Sequence, residues 1–272
     1  MGKVMASASV GCSTQPHKVH VTGIPVTALV FRDQISTMLE WAKQRSSRIV
    51  CVANVHMLIE ARCNNQLRCA LDKADLVTPD GMPIVWMMKK LGIVEQDRVA
   101  GMDIFLAICQ KCMEDEISIY LLGSTQKVLD MVTAKLTRDF PSLKVAGIES
   151  PPFRPLSDVE NAKIVSRINS SGAGITFISL GCPKQECWME SYGTLIESVM
   201  IGVGGVFPVY AGLKKYAPRW LRNMGLEWLY RLIQEPRRLF MRYFTTIPPF
   251  IWLALQQIRQ QSKYTNDNQL EF

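Results

Sequence analysis

The residue best placed to do chemistry is Asp80, in the stretch Thr78-Pro79-Asp80-Gly81. Pro79 and Gly81 hold its carboxylate in a tight loop behind a short apolar run, where it can take a proton from a hydroxyl in a defined orientation. Its plain structural use would be an Asx turn or a helix N-cap. Asp103 has that use more strongly, because it stands at a helix start. A second polar group follows the apolar run Ile175 to Leu180: Gly181-Cys182-Pro183-Lys184-Gln185-Glu186. A glycine turn and a proline opening a helix put free backbone N–H groups beside polar side chains. Lys184 and Gln185 suit an anionic, hydroxyl-rich ligand such as a diphosphate-sugar. Glu186 either binds ligand hydroxyls or favours the helix dipole. Gly123-Ser124 and Gly204-Gly205 offer further approachable amides for a diphosphate, and Asn54 ends another apolar run.

Other chemistries lack their residues. There is no Ser-His-Asp set, no P-loop and no GxGxxG fingerprint, so an ordinary dinucleotide cofactor is not supported. Of the three histidines, His17 and His20 lie near the start, and His56 opens a helix where capping or packing serves as well as catalysis. The eight cysteines are irregularly spaced. Cys51, Cys63, Cys69, Cys109 and Cys112 fall in apolar-periodic segments, where reduced cysteine is a small core residue. Cys109 and Cys112 form a lone CxxC without a second pair, so no metal or redox site is expected. Acid–base work is left to carboxylates, with no cofactor.

The elements that must carry these residues alternate. Apolar runs near Arg48–Ala53, Leu76, Ile117–Leu122, Leu143–Ile148, Ile175–Leu180 and Val199–Val203 are separated by helical stretches: about 32–44, 56–71, 84–91, 103–113, 126–140 and 157–168. A short strand pair leads in over Val19–Val30. This rhythm predicts an α/β fold, a Rossmann-like, mostly parallel sheet with helices on both faces. Right-handed crossovers then bring Asn54, Asp80, Gly123-Ser124, Gly181–Glu186 and Gly204-Gly205 to one sheet edge. Taken singly, Asn54 and the glycines read equally as turn residues.

Charge divides the chain further. The 272 residues carry a net +7, nearly all of it between Lys214 and Arg242, where eight basic residues meet only Glu227 and Glu235. Trp220, Trp228, Tyr230, Phe240 and Tyr243 are interleaved with them. Phe244 to Ile258 is uncharged but short, and Pro248-Pro249 is expected to break it. Basic-aromatic amphipathic helices describe binding at an anionic membrane surface rather than spanning it. A solvated helical hairpin docked on the domain is the structural alternative, and nucleic-acid binding is disfavoured because the aromatics keep apolar company. No apolar run reaches the roughly 20 residues that a spanning helix needs. The division is therefore a loose leader (1–18), an α/β catalytic domain (19–213) and a basic aromatic appendage with its tail (214–272). The leader lacks the apolar core of a signal peptide, which places the chain in the cytoplasm, peripheral on the inner membrane face.

These stretches, in order, resemble one family. Ala74–Gly81, Arg98–Asp103, Leu121–Gly123, Gly181–Glu186, Gly202–Phe207 and Ala217–Leu221 running on through Gly225–Leu232 to Glu235–Arg238 are similar to the WecG/TagA/CpsF glycosyltransferases, glycosyltransferase family twenty-six. The resemblance runs from about Val19 to Tyr243. It implies an inverting, metal-independent transfer of a hexose or N-acetylhexosamine-type sugar from a UDP-sugar to a sugar on undecaprenyl diphosphate, in cell-surface or wall-polymer synthesis. It implies Asp80 as general base, and Arg219, Arg231, Arg237 or Arg238 as stabilisers of the leaving diphosphate. The remaining polar edge residues, Asn54 and Asp103 included, become substrate binders. Val52, His56, Pro208 and Tyr216 depart from the usual Thr, Glu, Asp and Arg, and they bear on which sugar is moved. A non-enzymatic membrane- or nucleic-acid-binding module, and a transferase with a soluble acceptor, are the rival readings. Homo-oligomerisation is compatible with the sequence.

Overall fold

Strand side chains alternate between two apolar layers, and this alternation sets the architecture. The computed structural model of the chain describes residues 16–269. An antiparallel hairpin of β1 (Lys18–Val21) and β2 (Ile24–Thr27) comes first, turning through Thr22-Gly23. The expected leader therefore ends one residue early, since Lys18 already pairs with Thr27. Its residues 1–15 lie outside the described residues. Six parallel strands follow: β3 (Arg48–Ala53), β4 (Leu76–Pro79), β5 (Ile119–Gly123), β6 (Val145–Glu149), β7 (Ile175–Ser179) and β8 (Val199–Gly202). They lie in the order β4-β3-β8-β7-β5-β6. The chain leaves β3 for one edge, crosses to the other, and returns inward, so that β8 closes the sheet between β3 and β7.

Val50, Val52, Ile119, Leu121, Phe177 and Ile201 point into one layer, against α1 (Phe31–Lys43), α5 (Gly101–Glu114), α6 (Gln126–Asp139) and α9 (Val206–Tyr210). Cys51, Ala53, Tyr120, Leu122, Ile178 and Met200 point into the other, which holds the hairpin, α2 (Val55–Cys63), α3 (Asn65–Lys73), α4 (Met82–Lys90), α7 (Asp158–Ser171) and α8 (Lys184–Tyr192). Period-2 alternation with both sides apolar is what a sheet buried on both faces requires. The fold is α/β and Rossmann-like, with helices on both faces as the pattern predicts.

Three expectations change. The single helix expected over 56–71 is two, because Asn64 adopts extended backbone and its Oδ1 accepts from the amides of Gln66 and Leu67, each at 3.1 Å. That side chain caps a new helix where propensity alone would have continued the first. Cys63 and Cys69 on these helices are exposed rather than core, whereas Cys51, Cys109 and Cys112 are buried. Burial raises the Cys112 thiol to about 12 and Cys109 above its ordinary value, so the CxxC is inert packing.

The largest change is in the appendage, which forms α10 (Arg219–Asn223), α11 (Glu227–Gln234) and α12 (Pro236–Gln269). Pro248 and Pro249 do not break α12. Two missing N–H donors cost the helix, but packing on either side of them holds it. Leu239, Thr246, Phe250 and Ala254 are buried, the last two inside the hairpin-side layer. Gln257 accepts from Thr22 N at 2.8 Å and donates to His20 O at 2.6 Å. Tertiary contacts thus override a local helix breaker. No described helix is long and apolar enough to cross a membrane.

Candidate active site

The carboxyl ends of β3, β4, β5, β7 and β8 share one edge, which places Asn54, Asp80, Gly123, Ser124, Gly181 and Gly204 there together. Asp80 is set by backbone on both sides. Its amide donates to Ala53 O at 2.8 Å, extending the β3–β4 ladder by one residue. Gly81, not Asp80, is the N-cap of α4, so the carboxylate is not spent on capping. Its neighbour Pro79 accepts from Val99 N at 2.9 Å, and Thr78 Oγ1 donates to Val99 O at 3.1 Å. Those two bonds pin the loop that carries Arg98 against the end of β4.

A network of three carboxylates and three guanidiniums surrounds this point. Arg98 Nη2 donates to Asp103 Oδ2 at 2.7 Å. Its Nη1 donates to Glu227 Oε2 at 3.4 Å and comes within 3.8 Å of Asp80 Oδ1. Arg222 Nη1 reaches Asp103 Oδ1 at 3.4 Å and Tyr216 Oη at 2.9 Å, with its guanidinium stacked 4.2 Å over the Tyr216 ring. Arg231 Nε lies 3.2 Å from Glu227 Oε1. Burial pushes the Asp80 carboxyl up to about 7; the Glu227 carboxylate adds to the rise, while Arg231 and Arg98 oppose it. A carboxylate poised there is basic enough to accept a proton from a hydroxyl near neutral pH. Asp103 does not cap its helix either. Ala100 is the N-cap of α5, and the Asp103 carboxylate goes to the two arginines instead.

On sequence alone Arg98, Arg222 and Glu227 have no site role: Arg98 only opens the Arg98–Asp103 stretch, and the other two are charges of the basic segment. Arg98 stands five residues before Asp103 in one of the stretches that carry the family resemblance, which is its local signal. Glu227 looked like one of two acidic residues in a basic tail. What brings it in is the turn between α10 and α11. Gly225 sits there at φ +73°, and a Cβ on it would come 2.7 Å from Trp86 Cη2 of α4. Only glycine lets the appendage lie this close over the helix that follows Asp80.

The Gly181–Glu186 stretch is used differently from expectation. Gln185 is buried, and its Oε1 accepts from Gly181 N and Gly204 N, each at 3.2 Å. Its Nε2 donates to Glu186 Oε1 at 2.7 Å. The side chain ties the β7 and β8 exits together across Gly202, where a Cβ would come 2.9 Å from Gln185 Nε2. Glu186 is fully buried, and desolvation raises its carboxyl to about 6. Both side chains are buried, and Gln185 braces the turn from within the fold. Several amides are also taken: Ser124 N donates to Ser179 O at 3.0 Å, and Gly204 N also donates to Ile178 O at 3.3 Å. Gly181 N is held by Gln185, as above. Gly205 and Lys184 remain exposed at the edge. Asn54 caps α2, its Oδ1 accepting from Met57 N at 3.2 Å. Close by, desolvation and then the Arg242 charge hold the His56 imidazole down to about 4, so it is neutral at physiological pH.

Of the four arginines expected to face a diphosphate, Arg231 joins the Asp80 network. Arg219 and Arg237 are exposed, and Arg238 pairs with Glu235. Of the departing positions, Val52 is buried in the layer beneath α5, and Tyr216 orients Arg222. Among the described residues, no group of three or more His, Cys, Asp or Glu side chains is arranged to hold a metal ion.

A family model described as the glycosyl transferase WecG/TagA/CpsF family matches residues 19–264. The chain is 29% identical over 221 residues to an N-acetylglucosaminyldiphosphoundecaprenol N-acetyl-beta-D-mannosaminyltransferase of Bacillus spizizenii, covering 81% of this chain and 83% of that one. It is 28% identical over 222 residues to the protein of the same description in Bacillus subtilis, covering 81% and 84%. The site elements described above, from β3 to α11, fall inside the span matched by the family model, and α12 runs past its end.

Proposed function

The chain belongs to the WecG/TagA/CpsF glycosyl transferase family, and from that membership we propose that it moves a hexose or N-acetylhexosamine-type sugar from a UDP-sugar to a sugar carried on undecaprenyl diphosphate, in cell-surface polysaccharide or wall-polymer synthesis. The observation that carries this reading is Asp80: a mostly buried carboxylate of raised basicity at the sheet's carboxyl edge, ringed by guanidiniums and covered by the appendage. In the proposed step an acceptor hydroxyl oxygen attacks the anomeric carbon of the donor from the face opposite UDP. The new C–O bond forms as the bond to the diphosphate breaks, UDP leaves with that electron pair, and the hydroxyl proton passes to Asp80. Configuration at the anomeric carbon inverts. The barrier falls by holding the two substrates in line and by placing positive charge where the diphosphate departs.

In this reading that charge comes from arginines and not from a metal. Arg98, Arg222 and Arg231 are balanced by Asp80, Asp103 and Glu227, so of the four arginines expected at the diphosphate the exposed Arg219 and Arg237 are assigned to it. The acceptor's lipid supports a peripheral position on an anionic membrane face. Phe240, Phe244, Ile251 and Leu255 are exposed and recur along one side of α12, apart from its buried side, and Trp220 on α10 and Ile233 on α11 are exposed as well. Such a face, flanked by arginines, suits insertion among headgroups. The test is UDP release measured with a short-chain lipid-diphosphate sugar and a panel of UDP-sugars. Release that requires both substrates is the expected result. Binding of neither, or equal release with a soluble sugar acceptor, would overturn the assignment.

A further inference from the structure

The appendage does more at this site than cover it. Glu227 arrives from α11, 129 residues along the chain from Arg98, and competes directly for that guanidinium. Arg98 has two forks to offer. One is committed to Asp103 at 2.7 Å; the other is hydrogen-bonded to Glu227 at 3.4 Å and stands off Asp80 at 3.8 Å, beyond hydrogen-bond reach. Glu227 is itself held by Arg231 one turn later on the same helix, at 3.2 Å. The Gly225 turn seats this helix start against Trp86 and Met82 of α4, the helix that begins immediately after Asp80. Without Glu227, the nearest carboxylate left to the free fork of Arg98 is Asp80.

We propose that Glu227 is a positioning residue for the transfer reaction: docked by the appendage, it draws Arg98 off Asp80 and so leaves the Asp80 carboxylate free to take the acceptor's proton. An Asp80 in a close charge-assisted pair with Arg98 would be both blocked and too weak a base. Docking of α10 and α11 is thereby coupled to competence of the site, and activity depends on the appendage even where no appendage residue touches substrate. This inference rests on the reading of Asp80 as the base.

The charged groups that face Asp80 come from every element packed on it: Arg98 from the loop before α5, Asp103 from α5, and Glu227 and Arg231 from α11. Among these, Glu227 is the largest charge raising the Asp80 carboxyl, second only to burial itself. The sign follows. The base works above its own pKa, so the acid limb of the pH–rate profile marks Asp80. Removing the negative charge of Glu227 lets that limb fall to lower pH, while pairing with Arg98 lowers the plateau.

The full-length chain and its Glu227→Gln variant are compared in kcat and kcat/KM from pH 5 to 9, with UDP-sugar and lipid-diphosphate acceptor. The expected result is an acid limb moved down by about one pH unit with a plateau about tenfold lower. Glu227→Asp, which keeps the charge on a shorter stem, returns the limb most of the way, and it guards against misfolding of the glutamine variant. Vesicle binding stays as in the parent protein. An unmoved limb, whether activity is kept or lost evenly at all pH values, overturns the coupling. Asp80→Asn is run beside them. If it is inactive while the limb of Glu227→Gln is unmoved, only the role of Glu227 fails. If it turns over normally, the base assignment fails first.

Discussion

Replacing Asp80 by asparagine separates a catalytic carboxylate from a structural one, because the two roles predict opposite signs for stability. The carboxyl is held near 7 in the fold against an ordinary 3.8. An acid whose pKa is raised on folding costs stability when it is ionised: the cost is absent below about pH 4, grows between pH 4 and 7, and is complete above 7. At 1.36 kcal/mol per pH unit this is about 4 kcal/mol at most. About a fifth of the side chain still meets water, at 22% exposure. Screening there reduces the expected cost to about 1–3 kcal/mol. Asp80→Asn keeps the shape and never ionises. It should therefore unfold at higher urea than the parent at pH 8, with the gap narrowing to less than half by pH 5, while its turnover falls about 10²–10⁴-fold. Urea unfolding at the two pH values and single-turnover kinetics with both substrates bound make the measurement. Near-normal turnover would refute the base. A stability difference that does not change with pH would refute the raised pKa, and with it the electrostatic account of the site.

The other expectations concern the appendage. Phe240 and Phe244 stack on each other at 6.1 Å and are exposed, so the double change Phe240→Glu/Phe244→Glu should leave unfolding unaltered. Each ring removed from water is worth about 1.5–3 kcal/mol, so co-sedimentation with anionic vesicles should weaken by at least about 100-fold. Phe250→Ala, on the buried side of the same helix, should instead cost about 3–5 kcal/mol in urea unfolding, because it empties a filled site between α12 and the hairpin-side layer. Gly225→Ala meets both an unfavourable φ of +73° and the Trp86 ring. It should lower activity more than stability, and Trp86→Ala in the same chain should restore part of the activity by opening the space.

Much of the frame was legible because it follows from local rules. Both-sided apolar strands at βαβ spacing state a parallel sheet, and parallel crossovers then state which strand ends meet. Asp80 stood out for a related reason: a carboxylate between proline and glycine at a strand end has few structural tasks, and the N-cap, the main rival, went to Gly81. The orientation of Gln185 and Glu186 was not legible because the same polar residues after a glycine turn can face a ligand or brace the turn. The choice depends on Gly202, which leaves room for Gln185 to reach across to Gly204, and that neighbour lies on a different strand.

The electrostatics of the site lay beyond sequence reading for a deeper reason. Arg98 to Glu227 and Arg222 to Asp103 are contacts across 129 and 119 residues, and ion pairs leave no periodic trace in a sequence as apolar faces do. Net charge does not reveal these contacts. A segment of eight bases and two acids reads as a uniform cation, and in such a segment the informative residue is the acid. Glu227 is spent on holding two guanidiniums, Arg98 and Arg231, that would otherwise crowd a single carboxylate. A tail built only to bind an anionic surface would gain by losing that glutamate. Its place at the first turn of α11, on Arg98 beside Asp80, is what the proposed positioning role requires of the tail.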